Sequence, residues 1–539
     1  MERLIMEDLI RWKDKPDRKP LIVVGVRQCG KTYILKEFGR RFFKNTAYLN
    51  FQDSESAKGL FEGDLDVRML MDSIGAFTYT SMVPGSTLLI LDEIQECPRA
   101  LTSLKYFKEN ASDFHVVCAG SLLGVMLAKG GSFPVGGVDR LAMYPMNFRE
   151  FLMSAGEGAL LSVISRLGRT DEVPAPLHSR MVQYLREYMV VGGMPDVVSA
   201  WNRSHDIKVV SKKQRDLLAD YKDDFEKHAE DDLDRIIQLW DSIPLQLARE
   251  NGNRKFKWAD IGRKPLPEVE GGESESTEER TGSREYRKPL EWLQNAGLIH
   301  VVNLVKRPDV PLKSQLDERS FKVYMMDVGL LRAHAGYPPK FAYDPDPKYG
   351  LFKGAMTENL VLCEMMSAGI QDMGYWKDGR NEVDFIVNIE GSNYPVEVKA
   401  ETKTSTVSLD EYSRKYHPER SFIISMNPLR VSHERWYVPL YDVGSMLRSL
   451  EPEQPTVEQP TLPQNRAVMF DEGGWTNSDG GFVMMIPYAM LPVSVLRRNG
   501  DSFVPVDVET MQVDTGVEIR SGERFGGMVM WTPAGAQAP

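Results

Sequence analysis

Through the first 150 residues the apolar positions switch repeatedly between a continuous and a helical spacing. Residues 3–12 (RLIMEDLIRW) carry them at helical spacing and predict a short leading helix. An apolar run from Leu21 is followed by a glycine-bounded loop and an amphipathic stretch that ends near Phe42. TAYLNFQD (46–53) reads as a second strand, and an amphipathic helix is expected around 65–79. Thr87 to Leu91 is almost wholly apolar, as suits a parallel strand buried on both faces. FHVVCAGS (114–121) predicts a fourth strand, and DRLAMYPMNFREFL (139–152) a fifth strand with another helix. Strand and helix alternating in this way predict a parallel α/β sheet.

Beyond residue 155 the pattern changes. Residues 155–250 are mostly helical in spacing, with GGMP (192–195) as a break, and 235–250 carry an apolar stripe for packing. The stretch near 262–283 is acidic and poor in apolar residues, which predicts a disordered insertion. Arg254 to Lys264 is basic, and 284–305 reads as a helix and then a strand. That suits either a winged helix or a module that only packs. At 375–401 two alternating strands flank a turn at Glu390–Asn393. Residues 451–466 are rich in Pro, Glu and Gln and read as a semi-extended linker. In 467–539, Arg497 to Phe503 carries an Asn-Gly turn between alternating segments, a hairpin signal within a small β-rich module.

Composition narrows this picture. At 539 residues the chain exceeds a single core, and its 42% hydrophobic and 27% charged content are those of an ordinary globular protein. No apolar run is long enough to span a bilayer, so no membrane partner is expected. The N-terminal residues are charged throughout, without a signal-like apolar region, and the four cysteines are scattered. Together these predict a reduced, cytoplasmic protein. A net charge of −11 argues against a surface that is basic overall, though not against a local basic groove.

The first candidate chemistry is the loop. Gly25, Gly30, Lys31 and Thr32 satisfy G-x-x-x-x-G-K-[ST]. Backbone N–H groups from Val26, Arg27, Gln28, Cys29, Gly30 and Lys31 can converge on phosphate oxygens, and a helix N-terminus adds positive potential. Lys31 would reach the β- and γ-phosphates of ATP, and the Thr32 hydroxyl would bind Mg²⁺, with Tyr33 next to them. Cys29 in the loop is either an oxidisable thiol or a spectator. The apolar run at Thr87–Leu91 ends in Asp92-Glu93. In P-loop ATPases one such carboxylate helps hold Mg²⁺ and a second polarises the attacking water, which assigns Asp92 to the metal and Glu93 to the catalytic base. Ser121 is either a γ-phosphate sensor or a helix N-cap, and Arg140 either an arginine finger or a surface ion pair.

The second constellation lies at 375–401. Glu397 and Lys399, two apart on one strand, share a face, and the preceding strand can bring Asp384 beside them. Two carboxylates with a lysine suit a Mg²⁺ site, Asp384 and Glu397 as ligands and Lys399 orienting or activating water. The layout resembles the PD-(D/E)xK nuclease core, and Glu358 on the preceding helix matches an extra acid often found there.

VGVRQCGKTYILKEF, LLILDEIQECPRALTSLKYF, VVCAGSLLG, SFPVGGV and YPMNFREFL together resemble a bacterial and archaeal family of ATP-binding proteins. Its members join a AAA-type P-loop core to a C-terminal domain of unknown function. The likeness continues through YLREYMVVGGMPDVV, EYRKPLEWLQNAGLI, FKVYMMDVGLL, EVDFIV and YPVEVKAE, covering roughly 1–449. It implies a Mg²⁺-dependent ATPase with this organisation: a AAA-type core at 1–160, a helical lid at 161–245, and a winged-helix-like region at 246–345. A PD-(D/E)xK-like α/β domain at 346–450 follows, and the linker at 451–466 and the β-rich module at 467–539 lie outside the resemblance. DNA or another protein is the expected further partner. The alternative reading is a nucleotide-dependent switch or tether whose nuclease-like domain only binds.

Overall fold

The computed structural model describes residues 1–120, 136–165, 173–228, 232–248, 255–262, 277–340, 350–402, 405–432 and 434–450. It also describes five short strands beyond them. The chain divides into two units, Met1–Pro452 and Glu453–Pro539.

In the first unit, helix α1 (Ile5–Asp14) precedes β1 (Leu21–Val24), and α2 (Lys31–Phe42) follows the glycine-bounded loop. Strands β2 (Asn45–Asn50), β3 (Thr87–Asp92), β4 (His115–Gly120) and β5 (Asp139–Ala142) complete a sheet of order β2-β3-β4-β1-β5. All four pairings are parallel. Side chains alternate across it as strand geometry requires: Leu88 and Ile90 enter one apolar core, Leu89 and Leu91 the other. Every residue of β3 is buried, so a continuous apolar run is what its position demands.

Helix α3 (Phe148–Ser154) starts in a capping box, Asn147 with Glu150. The helical region follows, with α4 (Ala175–Val191) and α5 (Ile207–His228). Gly192, with φ of 76°, ends α4, and the N–H of Gly193 donates to Asp327 Oδ2 at 2.6 Å. The expected break at GGMP is therefore a junction: Met146 N–H donates to Gly193 O at 2.7 Å, and Asp327 caps α6 (Val328–His334).

A second sheet, of order β12-β13-β11-β10-β9-β8-β6-β7, occupies the rest of the unit. Strands β6 (Ile299–Val305) and β7 (Leu316–Met325) form an antiparallel pair, and α7 (Gly350–Ser367) leads to β8 (Met373–Asp378). Strands β9 (Asn381–Ile389) and β10 (Ser392–Val398) form the expected hairpin, turning through Glu390 and Gly391 at φ of 48° and 83°. Strands β11 (Ser421–Ser425), β12 (Arg430–Val431) and β13 (Arg435–Pro439) finish it. The hairpin β6–β7 lies in the segment read as winged-helix-like, where a helix and one strand are expected, and it pairs with β8 through Leu304↔Tyr375 and Val305↔Trp376. It shares one sheet with the β9–β10 hairpin, and Val305 and Trp376 bury into the same apolar cluster.

Most of the acidic insertion near 262–283 lies outside the described residues, as do Ser121 and the linker at 451–466. The last part of that insertion is helical rather than disordered, since a helix begins at Thr277. In the second unit, β14 (Val495–Asn499) and β15 (Ser502–Val506) pair antiparallel as the Asn-Gly signal predicts, joined by β16 (Ile519–Arg520). β17 (Arg524–Phe525) and β18 (Met528–Val529) form a separate pair.

Candidate nucleotide site and a buried charge cluster

The loop leaves the carboxyl end of β1, flanked by β4 and β5, where open α/β sheets place ligands. Gly25 passes so close to the Met143 carbonyl that a Cβ there would overlap it, and Gly30 sits at φ of 98°. The spaced glycines are thus required by close approach and by backbone conformation. Gln28 also has positive φ, 65°. Lys31 is buried and folds back, its Nζ donating to Gly25 O at 2.8 Å and Val26 O at 2.9 Å. Cys29 is fully buried, which leaves no exposed thiol in the loop, whereas Tyr33 is half exposed.

Thr32 Oγ1 donates to Asp92 Oδ2 at 2.7 Å, bringing together the two residues expected to share Mg²⁺. A hydroxyl and a carboxylate, both oxygen donors at the foot of a phosphate loop, fit that hard cation. Asp92 accepts two further hydrogen bonds, from Tyr48 Oη at 2.9 Å and from the Glu93 N–H at 3.1 Å. Burial, with the Asp92 carboxylate beside it, raises the Tyr48 hydroxyl above its ordinary range. Glu93 adopts φ of 48°, uncommon for a residue with a Cβ, and its Oε2 accepts from Gln95 at 2.6 Å. Arg140 lies exposed on β5.

Three parts of the chain contact the loop with no local sequence signal. Arg3 donates to Cys29 O at 2.9 Å and Tyr144 O at 2.7 Å, and pairs with Glu150 at 3.0 Å. From α5, Asp224 pairs with Arg27, Asp220 accepts from Gln28 at 2.9 Å, and Tyr221 donates to Arg27 O at 3.0 Å. The turn at Gly297, just before β6, packs beside Val26.

In the second sheet Asp384 lies beside Glu397 and Lys399 as expected. Its Oδ2 accepts from Val398 N–H at 2.8 Å, and Lys399 Nζ donates to Glu397 Oε1 at 2.5 Å. Glu397 Oε2 is buried without a hydrogen-bond partner. Burial and the adjacent Asp384 carboxylate push the Glu397 carboxyl up. What sequence spacing missed is Lys322 on β7, 1% exposed. Its Nζ lies 2.7 Å from Glu382 Oε1, 3.7 Å from Glu358 Oε2 and 3.9 Å from Asp384 Oδ1. Burial opposes its charge, but Tyr324, Glu382 and Asp384 hold it well above the ordinary lysine range. Tyr324 Oη also donates to Glu358 Oε2 at 2.9 Å.

Among the described residues no three acidic, histidine or cysteine side chains are grouped to hold a metal ion, so Asp384 and Glu397, where Mg²⁺ is expected, have no third such ligand beside them. An ammonium already stands among the carboxylates, and Asp384 and Glu397 each spend an oxygen on Val398 and Lys399.

The phosphate loop on a central parallel strand, with Thr32 and Asp92 joined behind it, defines a P-loop nucleotide-binding domain. Residues 17–152 match the family model described as an AAA domain. Residues 182–340 and 353–443 match two models described as domains of unknown function, DUF8612 and DUF4143. No curated protein matches the chain. Among solved structures, the chain is similar to a Walker-type ATPase of Pyrococcus abyssi at 13% identity and a TM-score of 0.37, covering 62% of this chain and 95% of that one. It is similar to the Aeropyrum pernix ORC2 protein at 14% identity and 0.31, covering 66% and 94%. The Aeropyrum pernix ORC1 protein, solved with DNA, gives 14% identity and 0.21, covering 63% and 92%. Among the described residues, no helix is long and apolar enough to cross a membrane.

Proposed function

We propose that residues 25–32 with Asp92 and Glu93 bind and hydrolyse ATP with Mg²⁺. The observation that carries this is the 2.7 Å bond between Thr32 and Asp92, which joins the hydroxyl and carboxylate of two motifs sixty residues apart. Lys31 leaves the Gly25 and Val26 carbonyls to neutralise phosphate charge, and the loop amides hold the phosphate oxygens. Thr32 and Asp92 would hold Mg²⁺, which supplies further neutralisation of charge on the transferred phosphoryl group. Glu93, just past β3 in a strained conformation, orients the attacking water and takes its proton. Lys31→Ala should abolish tight ATP binding. Glu93→Gln should keep binding and lower turnover at least ~100-fold, the scale of removing a catalytic proton acceptor. Wild-type protein that binds ATP but never turns it over, at any nucleic-acid concentration, would refute hydrolysis.

For the tail, a second reading is favoured by Lys322: the nuclease-like layout of Asp384, Glu397 and Lys399 is a recognition or coupling module, and the chain works as a nucleotide-dependent switch acting on DNA or another protein. Mg²⁺-dependent cleavage lost in Asp384→Ala would overturn it. ATPase rates with and without single- and double-stranded DNA across salt distinguish the two partners, since stimulation by DNA falls steeply as salt rises.

A further inference from the structure

The phosphate loop carries two cationic side chains, Arg27 and Lys31, and each is spent on an acceptor within the chain. Lys31 donates to the Gly25 and Val26 carbonyls, whereas the Arg27 guanidinium pairs with the Asp224 carboxylate on α5. Asp220 and Asp224 lie four apart and so share a face of that helix. The helix grips the loop at three points. Asp224 takes the Arg27 side chain, Asp220 accepts from Gln28 Nε2 at 2.9 Å, and Tyr221 Oη donates to Arg27 O at 3.0 Å. The last two need nothing from the Arg27 side chain, so the guanidinium can change partner while loop and helix stay joined. Its side chain is 29% exposed, against 9% for Asp224, so the open side of the pair is the arginine. Burial opposes the charge on Arg27, but Asp224, Glu93 and Asp220 hold it above the ordinary arginine range. Glu93 is the residue assigned to the attacking water, and its charge acting on Arg27 puts the guanidinium at the γ-phosphate end of the site.

We propose that Arg27 is a γ-phosphate ligand held in reserve by Asp224: ATP draws the guanidinium from Asp224, and ADP, which lacks the terminal phosphate, leaves the pair closed. The inference rests on the reading of residues 25–32 as an ATP site, and it adds how that site tells ATP from ADP. A planar guanidinium forks onto two phosphoryl oxygens as it does onto a carboxylate, and a terminal phosphate carries more charge than one aspartate. In the hydrolytic step the water oxygen bonds to the γ-phosphorus as the bond to the β–γ bridging oxygen breaks. The electron pair leaves with ADP, and Glu93 takes the proton of the water. Arg27 makes and breaks no covalent bond; it neutralises charge on the phosphoryl oxygens. When phosphate leaves, Asp224 recovers the guanidinium. Nearer its start, α5 is tied to α6, since Gln214 donates to Val190 O at 2.9 Å and accepts from Arg332. The Arg27–Asp224 pair is thus the point at which α5 senses the nucleotide.

The test is isothermal titration calorimetry of the full chain in Mg²⁺ with ADP or with AMP-PNP, a non-hydrolysable ATP analogue. Four proteins are compared: wild type, Arg27→Ala, Asp224→Asn and the double variant. Arg27→Ala should weaken AMP-PNP binding at least ~10-fold, the scale of one hydrogen bond to a charged group, and leave ADP within ~2-fold. Asp224→Asn should tighten AMP-PNP binding ~3-fold or more and leave ADP unchanged, because it removes the competitor that withholds the guanidinium. In the double variant that gain should vanish. Equal losses for AMP-PNP and ADP in Arg27→Ala would reduce Arg27 to a brace for the loop and overturn the inference, with nucleotide binding intact. A gain in Asp224→Asn that ADP shares, or that survives in the double variant, would overturn it too. If Arg27→Ala does not fold, Asp224→Asn decides alone: AMP-PNP binding no tighter than in wild type overturns the inference. A wild type that binds neither nucleotide would overturn the reading beneath it as well.

Discussion

Asp92 shows how much one buried carboxylate can be asked to do. It is 2% exposed and accepts from Thr32, Tyr48 and the Glu93 backbone, so its position is held from three directions. Removing a donor from such a group leaves part of a buried charge unsatisfied. Tyr48→Phe should therefore cost about 1.5–3 kcal/mol in a urea melt, the range for a hydrogen bond to a charged group. The variant keeps its Thr32–Asp92 bond, so its ATP turnover should stay within a few-fold of wild type, while Thr32→Val should lose turnover at least ~100-fold. Equal stability of Tyr48→Phe and wild type would mean that the phenol does not support Asp92. Gly25 to Thr32 and Asp92-Glu93 were legible because each is a contiguous signal whose spacing has a chemical reason. Tyr48, Asp224 and Lys322 were not. Tyr48 meets Asp92 across 44 residues and Asp224 meets Arg27 across 197, and only the fold creates those pairs. Lys322 is an unremarkable lysine in an alternating strand until β7, β9 and α7 come together around it.

Among the elements, the junction at Gly192–Gly193 carries the sharpest steric constraint. A Cβ on Gly193 would overlap the Met146 carbonyl, and one on Gly192 would overlap the Asp327 carboxylate that caps α6. Neither neighbour is free to move, since Met146 N–H is bonded to Gly193 O and Asp327 to Gly193 N–H. Gly193→Ala should lower stability by ~3 kcal/mol or more, at the upper end for single substitutions, read as a fall in melting temperature or loss of soluble protein. Gly158→Ala is the control: a Cβ added there, at the start of a helix, would meet no neighbouring group within 4 Å, so it should be neutral or stabilising by up to ~1 kcal/mol. A Gly193→Ala protein as stable as Gly158→Ala would refute the junction. The break itself was readable from GGMP, and so was the strand–helix alternation of the first sheet, because both are local patterns. The merger of β6–β7 with the tail sheet was not, since a helix followed by strands has the same periodicity whichever sheet it joins.

Across the first unit, the AAA-matched segment meets the tail-matched segment at Glu364 on α7, whose Oε1 accepts from the Phe148 N–H at 2.8 Å at the start of α3. Burial pushes this carboxyl up to about 7, opposed by the Phe148 bond and aided by the nearby Glu150. The sign of the consequence follows from linkage. Below the unfolded-state value near 4.5, folded and unfolded chains both hold the proton and there is no penalty. As pH rises towards 7 the unfolded chain releases it while the folded chain retains it, so stability falls, and above 7 the loss is complete. A shift of this size corresponds to about 3 kcal/mol. Other groups titrate in the same window: burial lowers His300 to about 4, which adds stability as pH rises, and raises Asp327 to about 6, which subtracts it. A single pH profile of wild type therefore mixes opposing slopes, and the comparison must be a difference. Glu364→Gln keeps an oxygen for the Phe148 N–H and removes only the titration, so the other groups cancel. The variant should match wild type or fall slightly below it at pH 4.5, and exceed it at pH 8 by several degrees in melting temperature. Parallel melting curves across that range would show that Glu364 does not titrate with folding, and that the joint between core and tail holds without a pH-sensitive carboxyl.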